Sequence, residues 1–328
     1  MGELGAYNSL EELKEYFDVE YINTVCDFYA LLKQVQKDKN VLYRGVCSPR
    51  YKMYSSAQRF YHENKDTFDF EYTKFISKLY EVSQSIDNGY LRKLYDDLQK
   101  DNYIQYVDTD KDRKSKRTYL AYNPIFAFHT LQHLTQCSPF LDFSTHFYIA
   151  LYFAAQDISP FWSNIVPDID NYIEIISLKE SDGLYNDMGL SGNLYRSLTE
   201  EICGEKSNVK GCLSLITKYD GKAIKYICYG GEAKTLEGRG CDYNFSLINE
   251  NCIAQSGRLY LTSCKVDTPF EVLWNDIFND TQKLKVYLIH KSLIDEIYKY
   301  LTIRILGKVV VPIQKDYKDE IIELIKKN

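Results

Sequence analysis

The stretch Leu131–Ala154 (LQHLTQCSPFLDFSTHFYIALYFA) decides the fold of this chain. Its apolar run around Phe140–Phe143 is typical of a short buried strand, which ends at Ser144-Thr145. Apolar residues then recur at helical spacing: Ile149, Ala150, Phe153 and Ala154. A hydroxyl side chain at the junction suits the N-cap of a helix, and the backbone N–H groups of a helix start bind phosphate. The stretch therefore predicts a strand, a helix and a ligand site between them.

Composition and charge restrict the class of protein. The chain has 328 residues and a formal net charge of -6, which argues against broad nonspecific binding to nucleic acid or to an anionic membrane. No apolar run approaches the length of a membrane span, and the N-terminus lacks the basic and apolar regions of a signal peptide. Nine cysteines without a CxxC pair indicate reduced thiols. These features predict a cytoplasmic protein with no membrane partner.

Strands and helices alternate irregularly along the chain, which favours an α+β fold over a doubly wound parallel sheet. Ser9 and Glu12 form a capping-box pattern, so a helix is predicted from Leu10, with helical patterning and one break to about Lys37. We predict a single domain over residues 1–328, with an N-terminal helical part at 1–38 and a core at 39–328 that carries a helical insertion at about 180–222. Further predicted elements are strands at 41–45, 172–178, 223–229, 258–262 and 284–289, and helices at 68–99, 123–135 and from 292.

Three short motifs in order resemble the FRG-domain family, which is named for a Phe/Tyr-Arg-Gly sequence. They are Tyr43-Arg44-Gly45, then Gln132-His133 with Asp142-Phe-Ser and Ala150-Leu-Tyr-Phe-Ala154, then Ile253-Ala-Gln255-Ser-Gly257. The resemblance runs from about residue 35 to the C-terminus. The chain departs from the family pattern at Pro139, Phe143, Ser144, Phe147 and Asn251, where the family has Arg, Trp, Thr, Pro and Arg.

The same positions also resemble the mono-ADP-ribosyltransferases, which have an Arg on the first core strand, a Ser-Thr-Ser strand end followed by a helix, and a catalytic Glu. This resemblance implies an ADP-ribosyltransferase-like mixed or antiparallel sheet core, with N-terminal helices and helical insertions, and NAD as the substrate. The implied catalytic residues are Arg44, Ser144, Gln255 and Glu250. The implied NAD-binding residues are Tyr43, Arg44, Gly45, His133, Ser144, Thr145 and Tyr148.

The chemistry of NAD cleavage gives these residue types their meaning. Breaking the nicotinamide–ribose bond develops positive charge on the ribose, which a carboxylate stabilises, while an Arg fork holds the diphosphate. The third motif places Gln255 where the carboxylate is expected, and an amide cannot supply that charge. The sequence therefore predicts slow chemistry, or binding without chemistry, unless Glu250 or Glu232 reaches the site.

Structural roles compete with these functional ones. Arg44 is also explained as an ion-pair partner of Asp142, Ser144 and Thr145 as helix caps, and Gln255 as a group that satisfies backbone hydrogen bonds beside Gly257. His129 and His133 share a helical face, but no third ligand is evident, so no metal site is predicted.

The interpretation that follows is an NAD-dependent mono-ADP-ribosyltransferase-like intracellular effector, of the toxin or phage-defence type. Such a protein would cleave the nicotinamide–ribose bond and transfer ADP-ribose to a macromolecule, either a protein or a nucleic acid. An immunity or antitoxin partner is possible under this interpretation. The alternative is a non-catalytic NAD- or nucleotide-binding sensor of a bacterial defence system. A nuclease ranks third because no cluster of metal-binding carboxylates stands out.

Overall fold

The computed structural model describes residues 4–39, 41–85, 137–156, 158–159, 168–179, 257–261, 266–278 and 283–305. Its helices are α1 (Leu10–Tyr16), α2 (Val25–Val35), α3 (Ser56–Glu63), α4 (Tyr72–Ser85), α5 (Phe147–Ala155), α6 (Phe270–Phe278) and α7 (Ile294–Ile305). Its strands are β1 (Phe17–Ile22), β2 (Val41–Val46), β3 (Phe140–Ser144), β4 (Tyr172–Lys179), β5 (Gly257–Leu261) and β6 (Leu284–His290). Short 3-10 turns lie at Lys65–Thr67, Asp168–Asn171 and Lys291–Leu293.

The described strands form one mixed sheet in the order β1-β6-β4-β2-β3-β5. Strand β1 runs parallel to β6, while every other neighbouring pair is antiparallel. Strand β4 lies inside the sheet, and its first seven residues are all buried. A mixed sheet with helices on both faces confirms the predicted α+β class.

The two faces of the sheet are covered by different helices. One face, which we call the α5 face, packs Tyr43, Ile175 and Tyr287 against α2, α5 and α7. The opposite face, the α6 face, packs Leu42, Ile176 and Val286 against α1 and α6. Because side chains alternate along a strand, each residue of β2, β3 and β4 can be assigned to one face by its register.

Capping explains where the first helices begin. The Ser9 hydroxyl accepts from the backbone N–H of Glu12, so α1 starts at Leu10, as predicted. The predicted helical patterning of residues 10–37 is wrong in its middle, however, because Phe17–Ile22 is strand β1. All six residues of β1 pair with β6, from Phe17–Leu284 to Ile22–Ile289. Pairing with a strand more than 250 positions away therefore overrides the local helical pattern.

Helices α3 and α6 lie where no helix was predicted. Helix α3 is short, but it begins at a complete capping box in which Ser55 and Gln58 bond each other's backbone N–H groups. Strands β2, β3, β4 and β6 and the helix after residue 292 fall where they were predicted, within about two residues, which is the usual uncertainty of element ends.

The junction between β3 and α5 differs from the prediction in one detail. Helix α5 begins at Phe147, and its N-cap is His146, whose side chain makes no capping bond. The predicted cap by Ser144 or Thr145 is therefore wrong. The Ser144 hydroxyl instead accepts from the backbone N–H of His146 at 3.0 Å, which closes a local turn before the helix.

Over the described residues, every helix is too short or too polar to cross a lipid bilayer.

Candidate functional site

Three strands that carry the sequence motifs meet at Ser144. Strand β2 contributes Tyr43, which pairs with Ser144, and strand β5 contributes Gly257, which pairs with the same residue from the other side. The register of β2 with β3, two strands described in full, consists of that one pair. Next to this pair, the contact between the two strands is made by the side chain of Arg44 and the backbone of Asp142.

The guanidinium of Arg44 links β2 to the backbone of β3. Its Nη1 donates to the backbone oxygen of Asp142 at 2.7 Å, and the side chain is half-buried. Among the described residues the guanidinium has no carboxylate within ion-pair distance, so the predicted alternative of an ion pair with Asp142 is not formed. Burial lowers the pKa of Arg44, and the charges of Asp142 and Glu174 oppose that shift. A guanidinium carries several more N–H donors than one carbonyl can use.

A second arginine acts electrostatically on the first. Arg59 of helix α3 places its positive charge close enough to lower the pKa of Arg44. Burial lowers the pKa of Arg59 itself. Its Nη2 donates to the backbone oxygen of Lys52 at 3.4 Å, and its guanidinium lies 6.0 Å from the centre of the Tyr51 ring. Among the described residues Arg59 also lacks a carboxylate partner, so the two cations form a half-buried positive pair suited to an anion.

Two buried glutamates lie on the same face as Arg44. Glu271 of helix α6 is fully buried and well satisfied: it accepts from the Tyr7 hydroxyl at 2.6 Å and from the backbone N–H of Met53 at 3.1 Å. Glu174 of strand β4 is 1% exposed, and neither of its carboxylate oxygens has a hydrogen-bond partner within the described structure. Burial raises the pKa of Glu174 well above its ordinary value, Glu271 raises it further, and Arg44 opposes the shift.

Register fixes the relation between Arg44 and Glu174. Glu174 pairs with Val46 across β2 and β4, while Arg44 pairs with Ile176. Arg44 and Glu174 are thus diagonal neighbours that point from the same face of the sheet, with Cα atoms roughly 7–8 Å apart in such a geometry.

Close packing of α5 on strand β2 explains why a glycine stands at position 45. A Cβ atom added there would lie 1.7 Å from the backbone oxygen of Ala150, so α5 approaches strand β2 more closely than any side chain allows. Tyr43 is buried on the same side, and its ring packs edge-to-face on Phe147 with 5.5 Å between centroids. This contact seats α5 on β2, whatever further role Gly45 and Tyr43 have in binding.

The structure brings some predicted site residues together and separates others. Tyr43 and Ser144 are direct strand partners on the α5 face, whereas Arg44 points from the α6 face. Thr145 and Tyr148 are half-buried after the end of β3, and the Tyr148 ring stacks on His146 at 5.2 Å. The predicted site residues His133, Glu250 and Gln255, the alternative carboxylate Glu232 and the predicted 180–222 insertion lie outside the described residues.

Sequence reasoning missed Arg59, Glu174, Glu271 and Tyr7. Arg59 lies in a segment without clear periodicity. Glu174 lies within an apolar sequence pattern that predicts a strand and does not by itself indicate a functional residue. A single carboxylate among the isoleucines of Tyr172–Leu178 was the signal available for Glu174, because an ionisable group in a doubly covered strand demands an explanation.

Within the described part of the chain, no group of three or more His, Cys, Asp and Glu side chains is arranged to hold a metal ion. Of the described cysteines, Cys26 is exposed, Cys47 is half-buried and Cys137 is buried.

Comparison with known proteins adds one match. No curated protein and no solved structure matches the chain. One family model matches residues 39–161, a span that contains the Tyr43-Arg44-Gly45 motif and the whole β3–α5 junction. The third motif at 253–257 lies beyond this span. Residues 39–161 match the family model of the FRG domain, so this part of the chain is similar to FRG domains.

Proposed function

We propose that this chain is an NAD-dependent mono-ADP-ribosyltransferase-like effector, with a core of the ADP-ribosyltransferase type, that binds NAD at Arg44 on strand β2. The observation that carries the proposal is the half-buried pair of Arg44 and Arg59, each without a carboxylate partner among the described residues. Two guanidinium groups that repel each other electrostatically in partly desolvated positions favour a doubly charged ligand such as a diphosphate.

The position of this pair supports the proposal. Arg44 lies one residue from Tyr43, whose strand partner Ser144 pairs in turn with Gly257. The strands that carry Tyr43 and Ser144 are thus neighbours, and the strand that begins at Gly257 lies beside them. Arg44 itself points from the α6 face, so a ligand that it holds would lie on the side of the sheet opposite to Tyr43 and Ser144.

The reaction would be cleavage of the nicotinamide–ribose bond, followed by transfer of ADP-ribose to a protein or a nucleic acid. The arginines would hold the diphosphate, and a carboxylate would stabilise the positive ribose. The formal net charge of -6 disfavours nonspecific binding of nucleic acid to the protein surface, so a specific acceptor is expected. A cytoplasmic site of action and an immunity or antitoxin partner belong to the same proposal.

Purified protein incubated with NAD tests the proposal. We expect release of nicotinamide, or labelling of an acceptor, and a loss of at least about 100-fold in Arg44→Ala, because a charge-assisted contact in a desolvated site is removed. Arg304→Ala is the matched control, since Arg304 is exposed on α7 and stacks on Tyr300 at 5.8 Å. Equal activity in both variants would refute the assignment of Arg44.

A second function is favoured by one sequence feature. Gln255 occupies the place where a catalytic Glu is expected, so a sensor that binds NAD or another nucleotide without turnover is the alternative. Saturable NAD binding that Arg44→Ala removes, without nicotinamide release under any acceptor condition, would select the sensor.

A further inference from the structure

We infer that Glu174 is the carboxyl group that faces the ribose of the ligand held by Arg44, and so supplies the negative charge that Gln255 cannot. This inference rests on the proposed function and deepens it. It assigns a catalytic group to strand β4, away from all three sequence motifs.

The first step is that Glu174 is the unsatisfied carboxyl of its surroundings. Buried polar groups in folded proteins nearly always have hydrogen-bond partners, so an exception demands a reason. Both oxygens of Glu174 lack a partner within the described structure, although the side chain is 1% exposed. The neighbouring Glu271 is equally buried, but Tyr7 and Met53 donate to it. The two glutamates thus differ in their hydrogen bonding: the carboxyl of Glu271 is held by two donors, whereas that of Glu174 has none among the described residues.

The second step is the direction of the side chain. Glu174 and Arg44 point from the same face of the sheet as diagonal neighbours on β4 and β2. Arg44 attracts the Glu174 carboxylate electrostatically, but the two groups form no ion pair. A phosphate held by Arg44 would direct the adjoining ribose towards Glu174, since a ribose joins the diphosphate to the nicotinamide.

The third step is the protonation state of the carboxyl. Burial and the charge of Glu271 raise the pKa of Glu174, so in the free protein its proton is retained to higher pH than in an exposed Glu. Within the described residues, other titratable groups also interact with this cluster: Tyr7 from the segment before α1, Lys52 and Tyr54 from the segment before α3, and Arg59 from α3. A cationic nicotinamide-ribose beside Glu174 would favour the ionised form and expel the proton to solvent.

The reaction then balances without a further reagent. The C1′–N bond of NAD breaks, and nicotinamide leaves with both electrons as a neutral molecule. The ionised Glu174 stabilises the ribosyl cation and takes the proton of the acceptor nucleophile as the new bond to C1′ forms. The carboxyl returns to its protonated state, so the net release is one proton per turnover, lost when NAD binds.

The experiment measures proton release on NAD binding by calorimetry at pH 7, in two buffers with different ionisation enthalpies, together with kcat and Kd. We expect wild type to release up to one proton per NAD, and Glu174→Gln to release almost none. We expect Glu174→Gln to lower kcat by at least about 100-fold while Kd changes by less than about threefold, which is the loss of a group that acts in the transition state.

Glu271→Gln is the matched buried control. Its carboxyl is engaged by Tyr7 and Met53, so we expect a kcat within about threefold of wild type. Because loss of the Glu271 charge lowers the pKa of Glu174, we expect a proton release between that of wild type and that of Glu174→Gln. Glu174→Met is a second variant that replaces the carboxyl by an apolar group of similar size. It should reproduce the losses of Glu174→Gln, and circular dichroism verifies that each variant is folded.

Three outcomes would overturn the inference. Proton uptake on binding would mean that the ligand only neutralises Arg44, because loss of that positive charge raises the pKa of Glu174. Unchanged kcat and proton release in both Glu174 variants would remove Glu174 from the site but leave the proposed function intact. Absence of NAD binding by wild type would overturn the proposed function itself, and the inference with it.

Discussion

Replacing Gly45 with alanine tests how α5 is seated on the sheet. The added Cβ atom would lie 1.7 Å from the Ala150 oxygen and 2.6 Å from its carbonyl carbon, while ordinary contact begins near 3.4 Å. The clash is with backbone, so no side-chain rotation relieves it, and the whole helix must move away from β2.

The cost of that movement follows from how tightly the helix is packed. Leu151 and Ala154 of α5 are 0% exposed, so a displaced helix opens gaps on its far side as well as straining its near side. Overpacking that neighbouring groups can absorb costs typically about 1–3 kcal/mol. Because the clash here is with a backbone carbonyl, we expect Gly45→Ala to lower the free energy of unfolding by at least about 3 kcal/mol.

Urea unfolding followed by circular dichroism measures this change as a lower midpoint at an unchanged slope. Gly5→Ala is the matched control, because its Cβ would lie 3.6 Å from the Lys52 Nζ, which is ordinary contact. We expect the control to stay within about 0.5 kcal/mol of wild type. A Gly45→Ala protein within about 1 kcal/mol of wild type would refute the close approach of α5 to β2.

Three further predictions concern the buried polar groups. Burial raises the pKa of Glu174 in the folded state. The stabilising contribution of its protonated form is therefore full below the pKa of the unfolded state and is lost as pH rises through the pKa of the folded state. The urea midpoint of Glu174→Gln relative to wild type should increase from pH 5 to pH 9, and a flat difference would contradict this. Tyr7→Phe removes the hydroxyl that donates to Glu271 and should lower the free energy of unfolding in urea by about 1–3 kcal/mol. The control Tyr29→Phe loses a hydrogen bond at the exposed surface and should lower it by less than about 0.5 kcal/mol. Equal losses in the two variants would count against the buried hydrogen bond. Ser144→Ala loses the turn bond before α5 and should cost about 1 kcal/mol, measured in the same way, with no change indicating that the turn closes without it.

Local sequence was sufficient for much of the fold. The start of α1 follows from the Ser9 cap, and strands β2, β3, β4 and β6 follow from short apolar runs bounded by polar residues. Such signals act over a few residues, so they survive without knowledge of the rest of the chain. The same reasoning failed for β1, whose Phe17–Ile22 segment extends because β6 offers it a partner.

The candidate site was predicted in part for the same reason. The motif residues Arg44 and Ser144 could be picked out by type and spacing, but their side chains leave opposite faces of the sheet, which depends on the register Tyr43–Ser144. A shift of one residue in that register would reverse the faces. Nothing in its own segment marks Arg59, and the one signal for Glu174 is that it is the lone carboxylate in an apolar strand. The electrostatic interaction of both residues with Arg44 depends on the tertiary structure.

By itself, the sequence determined the α+β class, the positions of most described elements and the pair of motifs at Tyr43-Arg44-Gly45 and Asp142–Ala154, because capping, periodicity and motif spacing are properties of neighbouring residues. The tertiary structure alone decided that β1 is a strand, that Gly45 is pressed against α5 and that Glu271 meets Tyr7 across 264 positions. It also decided that Glu174 is buried with no partner among the described residues. Pairing, close approach and burial are contacts between distant segments, and their free energy exists only once the sheet has formed.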